Sequence, residues 1–355
     1  MDVGGGPLAE GMQMRTSSFV GPRSVIAAAL LLVLLVLSGC TAERHWGGSS
    51  RTGEGGKIKI GLVTKTESNP YFVKLRDAAR AAADAHGAEV LALAGKFDGD
   101  NEGQVTAIEN LVRQGVSGIL ITPSSTGGVL GAIKSARQQG VIVIALDTAT
   151  EPETVVDATF ATNNKQAGVL LGQYIKARMG NTPPQILAMD LDPSASVGIA
   201  RHNGFLEGMG LPLDTPAVIG TALTQGDQSK AQQAMENLLQ RSAAQVNVVY
   251  NINEPAARGS YQALAGAGLT SKVLVGAIDG SCSGIEDVKA GKFVATVMQF
   301  PKKMAEDGVS AVVDAVHTGK SPSGFHDTGA TLITDQPIPG IASQDSTWGA
   351  ANCWG

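Results

Sequence analysis

Asp147 closes the run VIVIALD, Asn253 and Glu254 follow VNVVYNI, Asp279 closes KVLVGAID and Gln299 closes FVATVMQ. Arg201 lies in VGIARHNGF, downstream of QILAMDLD, and Asn69, Tyr71 and Phe72 stand in the loop after KIKIGLV. Asp, Asn, Gln and Arg form planar, paired hydrogen bonds, and two flat rings accompany them, without a recognisable set of nucleophile, base and orienting group. That mixture suits a polyhydroxylated ligand. Vicinal hydroxyls both donate and accept, which carboxylates and amides match in pairs, while an Arg fork only donates. The C–H faces of a sugar are apolar and fit against a ring. Each residue also has a plainer reading: Asp147 or Asp279 as a helix cap, Arg201 in a surface ion pair, Asn253 as a turn former, Gln299 as a hinge residue, one ring as an anchor for a first helical turn. Their common position at strand ends favours the site.

The elements that must carry these groups are legible in the same pattern. KIKIGLV, AEVLALA, SGILIT, VIVIALD, QILAMD, VNVVYNI, KVLVGAID and FVATVMQ are short, apolar and β-branched. They are too continuous for half-exposed strands and read as strands of parallel sheets covered on both faces. Helical patterns lie between them, such as YFVKLRDAARAAADAHG closed by Gly87 and NEGQVTAIENLVRQG closed by Gly115. The alternation predicts βαβ units with right-handed crossovers, and in such sheets ligands sit beyond the carboxyl ends of the strands. The rhythm breaks at EPETVVDATFATNNKQAGVLLGQYI, where a first crossing between domains is expected. KKMAEDGVSAVVDAVHTGK reads as a helix returning to the first domain, and TLITDQPI as a strand of a third crossing.

Several chemistries lack their signature. No G-x-G-x-x-G follows a strand, and neither G-x-x-x-x-G-K-[ST] nor H-E-x-x-H occurs. The formal net charge of −5 comes without a basic block, so no nucleic-acid footprint is present. His45, His86, His202, His317 and His326 are scattered. DGDNEGQVTAIE places Asp98, Asp100, Glu102, Gly103 and Glu109 near EF-hand spacing. It follows a strand rather than a helix, however, and Asp100 or Asn101 capping the next helix accounts for the same residues. No cofactor is expected.

At the N-terminus, Arg15 and Arg23 precede an apolar run of 13 residues, Val25 to Leu37, then LSGC. That is an export signal by its order and too short for a spanning helix of about 20 residues. LSGC resembles the lipobox of bacterial lipoproteins, which implies cleavage before Cys40 and a lipid on that cysteine. The expected boundaries are a signal peptide over 1–39 and a flexible tether over 40–56. Cys282 and Cys353 then remain, in a compartment that permits disulfides, and they are expected to pair; two free thiols are the alternative.

The segments TESNPYFVKL, VIALDT, RHNGF, NVVYNINEPAARGSYQAL, VGAIDG and ATVMQFP resemble those of the periplasmic sugar-binding proteins of ABC importers, in the ribose-binding group, over nearly all of the chain after Lys57. AGKFDGDNEGQVTAIENLV, GILITPSS, TQGDQSKAQQAMENLLQ, NEPAA, TGATLITD and NCWG are closest to the fructose-binding subgroup. The resemblance implies an α/β fold of two Rossmann-like domains, the periplasmic binding protein type I arrangement, joined by a three-strand hinge near Ala161–Thr162, Gln299–Phe300 and Thr331–Ile333. The lobes are expected over 57–161 plus 300–326, and 162–299 plus 327–355.

Carried over by motif, the ligand set is Asn69, Tyr71, Phe72, Asp147, Arg201, Asn253, Asp279 and Gln299. The resemblance assigns both rings to the cleft; Phe72 is expected to stack on the sugar and Tyr71 to use its ring and its hydroxyl, the added oxygen being a place where this site can differ from its ribose relatives. Where ribose proteins follow the aspartate with an arginine, this chain has Thr148. Where they place a second-domain phenylalanine, it has TQGDQ, so Thr148, Gln225 and Asp227 are expected to reshape that wall. The implied role is a non-enzymatic, monomeric, lipid-anchored binder of a monosaccharide or polyol, partnered by an ABC permease at the outer face of the cell membrane. A fructose-like hexose is favoured, with a pentose, a sugar alcohol and a sensor role as alternatives.

Overall fold

The structure is a computed structural model that describes residues 56–355; the export segment, Cys40 and nearly all of the tether lie outside the described residues. The chain builds β1 (Lys59–Thr64), α1 (Pro70–Ala85), β2 (Glu89–Ala94), α2 (Asn101–Arg113), β3 (Gly118–Ile121), α3 (Leu130–Gln138), β4 (Ile142–Leu146) and β5 (Ala158–Ala161). It continues through α4 (Asn164–Met179), β6 (Ile186–Asp190), α5 (Ser196–Met209), β7 (Val218–Leu223), α6 (Gln228–Ser242), β8 (Val248–Asn251), α7 (Glu254–Gly266), β9 (Leu274–Asp279), α8 (Cys282–Lys289) and β10 (Ala295–Met298). It ends with α9 (Pro301–Thr318), β11 (Gly324–Asp327), β12 (Thr331–Ile333) and α10 (Ser346–Asn352).

The strands form two six-stranded sheets, ordered β11-β5-β4-β3-β1-β2 and β12-β10-β9-β8-β6-β7. All pairings are parallel except β10 with β12. Each sheet carries an apolar cluster on both faces, as the continuous strand patterns require. The result is two α/β lobes of the periplasmic binding protein type I fold, a first lobe and a second. The chain passes between sheets after β5, after β10 and between β11 and β12. Asp327 pairs with Ala161 and Thr331 with Met298, so the last link is 328–330, just ahead of the Thr331–Ile333 segment. α9 returns to the first lobe, packing Met304, Val309 and Val312 into the same cluster as α1.

Capping fixes where the site loops begin. Asn69 accepts from Tyr71 N and starts α1 beside Pro70, Asp100 accepts from Gly103 N and starts α2, and Asn253 accepts from Ala256 N and starts α7. The EF-hand-like spacing is thus a loop with a helix cap. α4 and α5 approach through glycines, and a Cβ on Gly168 would strike the Arg201 carbonyl. Small residues there let the Arg201 helix lie against α4.

The Sγ atoms of Cys282 and Cys353 lie 1.96 Å apart. No helix among the described residues is long and apolar enough to cross a membrane.

Candidate ligand-binding site

In each sheet the strand order reverses beside one pair of neighbours, β1 and β3 in the first, β6 and β8 in the second. The crevice beyond the carboxyl ends of those strands is where open α/β sheets hold ligands. Here the two crevices face each other and enclose one inner cavity. Asn69, Tyr71, Phe72 and Asp147 line it from the first lobe, and Arg201, Asn253, Asp279 and Gln299 from the second. Lys65 and Asp98 also line it, with Leu191, Val197 and Ile252. Its volume is about 30 Å³, room for water and not for a sugar ring. A ligand therefore enters only as the lobes part. Thr126 N donates to Ser194 O (2.7 Å) and Ser196 Oγ to Ala149 O (2.9 Å), which seals one side between lobes.

Arg201 is the centre of the cavity and is 4% exposed. Its Nε donates to Asn164 Oδ1 (2.8 Å) and one terminal nitrogen to Ile252 O (2.9 Å). Asp147 and Asp279 carboxylates each stand 3.9 Å from the guanidinium. That distance is ionic attraction without a direct hydrogen bond, and it leaves carboxylate lone pairs for another donor.

Asp147 is placed by its backbone. It sits at φ 65°, a left-handed conformation that costs a non-glycine residue about 1–3 kcal/mol. Asn164 Nδ2 holds its carbonyl (3.2 Å), and Thr148 Oγ1 donates to its Oδ2 (2.9 Å). Thr148 is fully buried and stands behind Asp147 rather than in the cavity wall.

Asp279 accepts from Gln299 Nε2 (2.9 Å) and Glu254 N (3.3 Å). Burial and the adjoining Glu254, opposed by Arg201, push its pKa up to about 8. Glu254 is itself buried, and burial raises its pKa. It accepts from Gly280 N, Thr296 Oγ1, Ser281 N and the Ser281 hydroxyl. Gln299 Oε1 is buried with no hydrogen-bond partner in the protein. An acceptor left unmade in this way costs about 1–3 kcal/mol until a donor arrives.

The rings divide their work. Phe72 lines the inner cavity and the recess outside it, and meets Tyr71 edge-on at 5.5 Å. Tyr71 presents its ring to the cavity, and its hydroxyl donates to Met304 Sδ (3.1 Å) while lying beside the Asp147 carboxylate. Neighbouring residues at a helix start point about 100° apart, so only one of the two faces the opening squarely. Burial, then the Asp147 charge, raises the Tyr71 pKa well above 10.

Gln225 and Asp227 do not reach the inner cavity. They line an outer recess of about 340 Å³ with Lys96, Phe97, Lys230 and Arg258. Asp227 is exposed and caps α6, and Gln225 pairs with Lys230. Asn253 is at the cavity with its amide largely committed, to the α7 cap and to Gly226 O (3.0 Å).

Sequence reasoning missed Lys65 and Asp98. Lys65 follows β1 directly and is 1% exposed, its ammonium 3.5 Å from Asp98, whose pKa burial raises against the pull of Lys65. The strand-end rule that selects Asp147 and Asp279 applies equally to Lys65. Among the described residues, no group of three or more His, Cys, Asp or Glu is placed to hold a metal.

Known proteins resemble this chain over most of its length. The ribose import binding protein of Bacillus subtilis is 27% identical over 299 residues, covering 84% of this chain and 95% of the relative. The D-allose-binding periplasmic protein of Escherichia coli is 28% identical over 265 residues, covering 73% and 85%. A solved ABC transporter solute-binding protein from Agrobacterium vitis, with bound D-fucose, superposes with a TM-score of 0.74 at 26% identity, covering 84% of this chain and 100% of that one. The family model described as a periplasmic binding protein domain matches residues 60–321, which span both crevices and every inner-cavity residue named above. The chain belongs to the periplasmic binding protein family.

Proposed function

We propose that this protein captures a monosaccharide between its two lobes outside the cytoplasmic membrane and delivers it to an ABC permease. The observation that carries the reading is the buried Arg201 bracketed by Asp147 and Asp279, with the unpartnered Gln299 Oε1 beside them. A ring of adjacent hydroxyls supplies donors for the carboxylates and for Gln299, and acceptors for Arg201, while its C–H face covers Phe72. Lys65 supplies a second cation from β1, where ribose-type sites use an arginine at the position of Thr148. The relatives are named for ribose and D-allose and the solved neighbour holds D-fucose, which supports the sugar class.

Within that class, a fructose-like hexose is the favoured ligand, with a pentose or a sugar alcohol next. The protein works as a monomer, lipidated on Cys40, with Cys282 and Cys353 joined in the exported form. Closure about the three interlobe links presents the permease, or a signalling receptor, with a shut form that the right sugar stabilises. Each mismatched hydroxyl leaves a buried group unpaired, which costs about 1–3 kcal/mol and rejects the wrong epimer.

A thermal-shift panel of fructose, ribose, allose, xylose, arabinose and their polyols tests this, because a ligand that binds only the native state raises its melting temperature. Fructose or a close hexose is expected to give the largest rise. No shift with any member at millimolar concentration contradicts the reading. Mass spectrometry of membrane-extracted protein is expected to show a diacylglyceryl group on Cys40, and a free thiol there removes the anchor.

A further inference from the structure

Trp354, the penultimate residue, belongs to two lobes at once. Its backbone is an isolated bridge to Ser281 of the second lobe, and its carbonyl accepts from Cys282 N (2.9 Å) beside the cysteine pair. Its side chain is 5% exposed and packs into the first lobe's cluster with Tyr71 and Met304, edge-on to Tyr71 at 5.3 Å. The indole Nε1–H is shared between the carbonyls of Asp279 (3.1 Å) and Gln299 (3.2 Å). Those residues end β9 and extend β10, where the strands leave the sheet.

We propose that Trp354 is a positioning residue of the binding site, setting the strand ends that carry Asp279 and Gln299 and closing the seam between lobes through Tyr71. It does not line the cavity and acts through residues that do. One N–H ties two buried carbonyls directly behind two ligand groups; the Asp279 carbonyl also accepts from Gln299 N (2.8 Å), so loss of the indole donor unties the two strand ends and leaves the Gln299 carbonyl without that bond. The Tyr71 edge contact is made across the lobes and supports the shut form; the Ser281 bridge keeps Trp354 on the second lobe when they part. The tail is thereby a latch whose fixed end is at α8 and whose free end is the indole ring.

The inference rests on the sugar-binding reading for its binding arm, so the experiment has a second arm that needs no ligand. In the first, Trp354→Phe, which keeps a ring and loses the N–H, is compared with wild type by calorimetry and stopped-flow release of the best sugar. About tenfold weaker binding is expected, arising in the dissociation rate with association nearly unchanged. Combined with Asp279→Asn, the two losses are expected to fall well short of additive, because both act on one strand end. A role in general stability would instead lower the melting temperature, leave the dissociation rate alone and add independently.

In the second arm, small-angle scattering of sugar-free protein reads lobe closure directly. Trp354→Ala, or Trp354→Leu if the alanine variant does not fold, removes the ring and is expected to enlarge the radius of gyration relative to wild type. Wild-type release rate in Trp354→Phe, or additive losses with Asp279→Asn, overturns the positioning role. An unchanged radius of gyration in the variants overturns the latch. Should wild type bind no sugar, the sugar reading fails and the scattering comparison alone decides the latch.

Discussion

The two walls of the cavity are built differently. The second-lobe wall is a prearranged polar template: Arg201 is pinned by Asn164 and Ile252, and Asp279 by Gln299 and the Glu254 backbone. Behind it, Glu254 gathers donors from Gly280, Ser281 and Thr296. The first-lobe wall supplies surfaces and charges on loops, namely Phe72 and the Tyr71 ring at the start of α1, Asp147 in a left-handed turn, and the Lys65–Asp98 pair. The difference separates two jobs. In the proposed function, rigidly held groups with the Gln299 Oε1 acceptor left open would select among hydroxyl patterns, whereas rings and a strained loop would close over whatever face is presented.

The comparison breaks most visibly at Arg201. Arg201→Met leaves Asp147 and Asp279 buried without their counter-charge, and losing one partner of a buried pair costs about 3–5 kcal/mol. Sugar affinity is expected to fall by more than about 100-fold, with the melting temperature followed in parallel. Retention of affinity within tenfold transfers selection to the first lobe. On that opposite wall, Phe72→Ala is expected to weaken all sugars by about tenfold while leaving their ranking unchanged, consistent with lost ring contact worth about 1–1.5 kcal/mol. A changed ranking makes Phe72 part of the template.

A smaller effect comes from the proton on Asp279. Burial and Glu254 raise its pKa to about 8, Asp147 adds to this, and Arg201 and the Glu254 N–H oppose it. In the unfolded chain an aspartate titrates near pH 4 (roughly 3.9), so the folded protein holds an extra proton across the interval up to about 8. Stability from this group therefore falls as pH rises through that interval and levels above it. A sugar hydroxyl donating to the carboxylate favours its charged form, so binding releases a proton and affinity rises severalfold between about pH 6 and pH 8. Calorimetry in buffers of different ionisation enthalpy reads that proton, and buffer-independent enthalpies contradict it. The smallest expectation lies outside both walls. Asp227→Ala is expected to change affinity by less than about twofold, since Asp227 caps α6 in the outer recess.

The same division shows in what the sequence reveals. Central strands announce themselves because both faces are buried, and β1, β3, β4, β8, β9 and β10 fall where their apolar runs lie. The edge strand β7 is half exposed and carries Thr221 and Gly220, and β11, GFHD, is exposed throughout. Such strands are defined by the neighbour they pair with rather than by their own residues, so no composition marks them. In the site, Asp147, Asp279 and Gln299 are visible as polar residues ending apolar strands. Lys65 ends a strand as well, yet a lysine in TKTES reads as surface, and its burial depends on Asp98 from a loop about thirty residues on. Gln225 and Asp227 show the reverse case, lining the outer recess rather than the inner cavity. The loop has an αL turn at Gln225 and Gly226 and ends in the Asp227 cap of α6, neither of which its composition announces.

The most direct measurement is a calorimetric titration of the best sugar from the melting panel into wild-type protein, Asp147→Ala and Asp279→Ala, with the sugar recovered and identified afterwards. One site per chain, sugar returned unchanged, and affinity lost by about 100-fold or more in each variant is the predicted result. Wild-type affinity in both variants, or a chemically altered sugar, contradicts the assignment of this cavity as a sugar-binding site.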